Sequence, residues 1–210
     1  MTIEYFIENW RNIKEDIEFT EYEWIDISRH EYLEEEFMEK YKDKINWGWI
    51  SINQNLSEPF IEKYQNKVDW HCISERQKLS EEFIEKYQNK INWGWISYCQ
   101  KLSESFIEKY KNKVNWYNIS AYQKLSEEFI EKYQDKVNWY CISERQKLSE
   151  EFIEKYKNKV NWGCISEYQK LSDIFIVEMH KYVNYSTLKY NKNIKYKLFQ
   201  SKLGMSLLIL

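Results

Sequence analysis

Residues 79–101 read LSEEFIEKYQNKINWGWISYCQK, and nearly every position of this string returns 23 residues away in either direction. Its leading residue recurs as Leu56, Leu79, Leu102, Leu125, Leu148 and Leu171, with Leu33 continuing the series upstream. A fixed period in the twenties marks an array of stacked units, each burying its apolar face against its neighbours. Within the string, Ser80 is a good helix N-cap, a hydroxyl that accepts from the free amides of the first turn. Leu79 before the cap and Ile84 at the fourth helical position form a hydrophobic staple. Glu81 and Glu82 follow the cap and Lys90 closes the segment, as the helix dipole favours. Phe83, Ile84, Tyr87 and Ile91 share one arc of a 3.6-residue period, an apolar stripe over about three turns. Asn92 then caps a second, shorter helix with Trp93, Ile96 and Gln100 on its inner face and Ser97 beside them. The expected fold is all-α, an α-solenoid of short helix-turn-helix repeats with one long and one short helix per 23 residues.

The template weakens at both ends. Trp24, Ile27 and Ser28 match it upstream, while downstream Tyr185 stands in the Trp position and Leu188 in the Ile position. Atypical terminal repeats are the usual caps of such arrays. The reading is a degenerate N-terminal capping repeat over 1–32, tandem repeats over 33–193 and a C-terminal capping segment over 194–210. Pro59 replaces a Glu in one repeat, which the first turn tolerates because the missing amide has no partner there. The strings HCISERQ at 71–77 and YCISERQ at 140–146 lie 69 residues apart, the mark of a duplicated three-repeat block.

Composition agrees with helices joined by tight corners: 10 Trp, 18 Tyr and 10 Phe against 4 Gly and a single Pro. The net charge of −3, from 31 basic and 34 acidic residues in close alternation, differs from the basic excess of a general nucleic-acid or membrane binder. No membrane span is expected, and the first residues carry no apolar run of signal-peptide length, so the expected location is cytoplasmic. Cys72, Cys141 and Cys164 occupy one repeat position, where stacking separates them by ~10 Å. A disulfide needs Cα atoms within ~7 Å, so free thiols are expected.

Catalytic signals are missing. His30, His71 and His180 have no metal-ligand spacing, and no glycine-rich phosphate loop or GxSxG elbow occurs. No catalytic residue, metal or cofactor is therefore assigned. Ser97 and its equivalents are expected to bond back to a helix carbonyl. The recurring Trp reads as a structural wedge between helix pairs. Lys86 and Lys90 recur in step, and stacking lines them into ladders that would follow a phosphate backbone. The competing reading pairs them with Glu82-type residues one turn away.

The sharpest contrast is between repeats. The first helix hardly changes, whereas four positions of the second helix vary on the side opposite Trp, Ile and Gln. Those positions carry Trp49, Arg76, Trp95, Tyr98, Tyr117, Tyr122, Tyr140, Arg145 and Tyr168. Trp, Tyr and Arg dominate interface hot spots, and a constant scaffold with one variable strip is how repeat proteins build recognition surfaces. These nine residues are the candidate protein-binding set. Drift on an unused face is the competing reading.

The pattern LSExFIxKYxxKVNWxxIS over roughly 33–188 resembles the short tandem helical repeats of phage, giant-virus and mobile-element proteins. The resemblance implies an α-solenoid in a phage-like or viral setting and transfers no catalytic residue. The missing catalytic signals point to a non-enzymatic scaffold, and the phage-like setting makes an anti-CRISPR-like inhibitor that occludes a host defence protein one expected role. A nucleic-acid or ribonucleoprotein binder using the lysine ladders is the alternative.

Overall fold

A computed structural model describes residues 2–12, 18–30 and 32–193. Helix is the only regular secondary structure among them, and no described helix is long and apolar enough to cross a membrane. Seven helix pairs follow one another, from Glu35–Lys40 with Trp47–Asn53 to Asp173–Glu178 with Tyr185–Leu188, as an α-solenoid requires. The chain divides between Leu102 and Ser103 into two compact halves. Within each half the second helices of successive repeats pack on one another.

The expected caps form the helices. Ser80, Ser126 and Ser149 each accept from the amide of the Phe three residues on, and Asn92, Asn138 and Asn161 cap the second helices. Pro59 lies in the first turn of Glu58–Lys63. The expected inequality of length is reversed, however. In the Leu125 repeat the first helix, Glu127–Lys132, has 6 residues and the second, Trp139–Arg145, has 7. At Tyr133 φ is −113° and ψ is 29°, outside α geometry. Its carbonyl accepts from both Lys136 (2.8 Å) and Val137 (3.0 Å), so a tight turn replaces the third helical turn. Tyr133 and Val137 are still buried, which is why the apolar stripe imitates a longer helix.

Repeats are joined by polar contacts in a largely apolar core. Gln146 is buried at the C-cap of its second helix. Its Nε2 donates to the carbonyls of Gln123 (2.7 Å) and Ser120 (2.9 Å) in the preceding repeat. Its Oε1 accepts from the Leu125 amide (3.1 Å), which closes its own repeat. Gln54, Gln77, Gln100 and Gln169 repeat the carbonyl contact, forming a glutamine ladder. Asn191, one residue before the next Gln position, replaces it by donating to Ser166 and Gln169 carbonyls and accepting from the Asn193 amide.

The buried serines do more than bond backwards. Ser143 Oγ donates to the Trp139 carbonyl (2.7 Å) and accepts from the Asn161 amide of the next repeat (2.8 Å). Glu127 accepts from both the amide (2.5 Å) and hydroxyl (3.0 Å) of Ser149, so an acid in one first helix holds the cap of the next.

The Trp is a wedge but only half-buried. Trp139 stacks on Phe152 of the next repeat (centroids 6.3 Å apart, 23° between planes), lies 5.1 Å from Tyr156, and donates its Nε1–H to the Gln134 carbonyl (2.9 Å). At the N-terminus, the helices Ile3–Asn9 and Glu21–Arg29 bring Phe6 and Trp24 against Phe37 and Tyr41 of the first regular repeat. Ser28 already makes the template contacts, to Trp24 and Asn46. The C-terminal capping segment expected over 194–210 lies outside the described residues.

Candidate functional site

Alternation of buried and exposed positions in the second helix sets the candidate face. Ile and Ser of the six second helices from Trp47–Asn53 to Trp162–Tyr168 are fully buried, and Gln at the C-cap nearly so. The opposite side therefore points outward from a backbone locked at both ends. In the C-terminal half this places Tyr117, Tyr122, Tyr140 and Tyr168 on the surface at 44–57% exposure. Tyr98 in the N-terminal half is 42% exposed. Arg76 and Arg145 are exposed as well, each beside the Glu preceding it, at 3.3 and 3.5 Å.

Not every variable position lies outside. Ala121, Cys141 and Cys164 are buried, because small residues there are covered by side chains of adjacent helices. Trp49 and Trp95 are half-buried. The Arg29 guanidinium sits 4.6 Å over the Trp49 ring, and Trp95 donates its indole N–H to His71 Nε2 (2.9 Å) with the rings perpendicular. Trp95 also meets Tyr98 edge-on at 5.8 Å. In the C-terminal half Arg145 lies 5.5 Å over Tyr122. The outer positions thus form laterally braced clusters. Sequence reasoning missed His71 as the brace of Trp95, although their spacing of one repeat plus one residue was a usable signal.

The lysines pair differently from expectation. Lys132 bonds to Glu108 and Lys155 to Glu131, both at 2.6 Å and each across a repeat boundary, and Lys86 reaches Glu62 at 2.5 Å. The Glu82-type residue one turn away is not the partner, since stacking brings the preceding repeat's acid closer to the ammonium. These contacts raise the pKa of Lys132 and Lys155 above the ordinary lysine range and lower those of Glu108 and Glu131 below the carboxylate range. Lys159 likewise contacts Gln134 and Asp135.

All four cysteines are free thiols, and burial is the first cause pushing each thiol pKa up. No group of His, Cys, Asp or Glu among the described residues has the arrangement of a metal site. Comparison with family models, curated proteins and solved structures finds no match to this chain.

Proposed function

We propose that this chain is a non-enzymatic repeat scaffold that binds a protein partner through the outer face of its second helices. One observation carries the reading: Tyr117 and Tyr140, one repeat apart, and Tyr122 and Tyr168, two repeats apart, are exposed on helices whose Ile and Ser are fully buried. Such rings provide large contact area at low entropic cost, because the backbone beneath them is already ordered. Pairing of Lys86, Lys132 and Lys155 with acids leaves that ladder with little net charge to offer a phosphate backbone, whereas Lys90 of the second ladder meets the neutral amides of Gln65 and Asn66. The resemblance to phage and mobile-element repeats makes a host defence protein the first partner class to test.

The test is affinity capture with wild type, a Tyr117→Ala/Tyr140→Ala variant and a Lys132→Gln/Lys155→Gln variant, each checked for helicity. The tyrosine pair should weaken capture strongly, since hot-spot rings cost ~2 kcal/mol or more, about thirtyfold each. The lysine pair should leave it unchanged. Equal capture by the tyrosine variant sinks the reading, and capture abolished by nuclease transfers it to nucleic acid.

A further inference from the structure

The C-terminal ends of the second helices hold a feature the tyrosines do not explain. In the N-terminal half, Arg76, Lys78 and Lys101 line one groove of about 390 Å³, with Glu75 the only carboxylate on its wall. Lys78 and Lys101 are exposed and enter no ion pair or hydrogen bond among the described residues. They contrast with Lys63 and Lys86 of the same half, each held by an acid of the preceding repeat. Three cations thus face one carboxylate in a chain whose net charge is −3. Each lysine lies two residues beyond its helix, where the dipole favours a cation, but that preference does not require an unpaired ammonium.

The groove is part of the duplicated block. SERQKLS at 74–80 returns at 143–149, so Arg145, Lys147 and Lys170 hold the same repeat positions in the C-terminal half. Lys147 and Lys170 are again exposed and unpaired among the described residues.

Resting on the protein-binding reading above, we propose that the partner segment crossing this face is acidic and places an Asp or Glu carboxylate in the Arg76–Lys78–Lys101 groove. The Arg145 position of the second half takes another. Guanidinium and ammonium groups form charge-assisted hydrogen bonds with a carboxylate, and neighbouring Tyr98 or Tyr168 supplies apolar contact. A nucleic-acid strand fits less well. Its charges recur every ~3.4 Å along the axis, whereas the three cations gather in one groove.

Fluorescence anisotropy tests this on the whole chain, using a labelled peptide alternating Glu and Tyr, its Gln-for-Glu counterpart and oligo(U). One variant replaces Arg76, Lys78, Lys101, Arg145, Lys147 and Lys170 with Gln. A charge-matched control replaces Lys63, Lys67, Lys86, Lys132, Lys155 and Lys159. The acidic peptide should bind wild type and the control alike and lose about tenfold or more in the groove variant, as expected for one lost charge-assisted bond. Equal binding to the groove variant, equal binding of the Gln peptide, or tighter binding of oligo(U) overturns the proposal. If the peptide fails while the tyrosine variant still abolishes partner capture, the acidic groove falls and the protein-binding face stands.

Discussion

Ser143 shows how much of this fold rests on single small groups. Its hydroxyl donates backwards to Trp139 and accepts forwards from Asn161, so it ends one helix turn and anchors the next repeat's cap. Ser143→Ala leaves the Asn161 amide without that acceptor in a buried setting, and should destabilise by ~1–3 kcal/mol in urea unfolding. Trp139→Ala should cost ~3 kcal/mol, the low end for an aromatic truncation, because the ring is half-buried rather than enclosed. The thiols give a second residue-scale expectation. Neighbouring protein around each sulfur raises all four thiol pKa values, even at Cys99, whose residue surface is otherwise exposed, so alkylation should be slow. Exposed Cys99 should react first, and buried Cys141 and Cys164 only on unfolding, as peptide mass mapping would show.

Between elements, the first helices Glu104–Lys109, Glu127–Lys132 and Glu150–Lys155 are tied in succession by paired charges on the rim and by the Glu127–Ser149 type of contact beneath. The bridges are exposed, so their share of stability is small. Their pH signature is nonetheless directional. Glu131 has a lowered folded pKa, so its contribution is present above the ordinary carboxylate range and lost as pH falls through the folded value. Lys155 has a raised one, so its contribution is present below the ordinary lysine range and lost as pH rises through the folded value. Melting curves of wild type and Glu131→Gln should therefore differ most near neutral pH and converge in acid. Parallel curves down to the lowest pH would contradict this. The second helices are tied differently, through buried glutamines that no change of pH or salt ionises.

At the scale of the whole molecule, stability is a sum of repeat and nearest-neighbour terms, and damage at one joint spreads to adjoining repeats. Gln146→Leu keeps the volume but orphans the Leu125 amide and the carbonyls of Ser120 and Gln123. Hydrogen exchange should lose protection in both the Leu102 and Leu125 repeats, whereas Tyr140→Ala should leave protection unchanged. Loss confined to residues beside position 146 would show that the glutamine contact does not couple repeats.

The 23-residue period alone determined the helix pairs, their caps and the apolar stripe. All of these follow from spacing within one repeat, which the chain prints seven times. Only the tertiary structure decided the partners of residues whose nearest neighbour is 18 to 26 positions away. Lys155 and Glu151 are four residues apart and suit a helical pair, yet stacking brings Glu131 to the ammonium instead. Tyr133 and Val137 fit a third helical turn by period, yet the Tyr133 carbonyl bonds closed a turn there. Position 141 reads as outer on a helical wheel, yet the neighbouring helix covers a side chain as small as Cys. A wheel knows one helix, and burial is set by the next one.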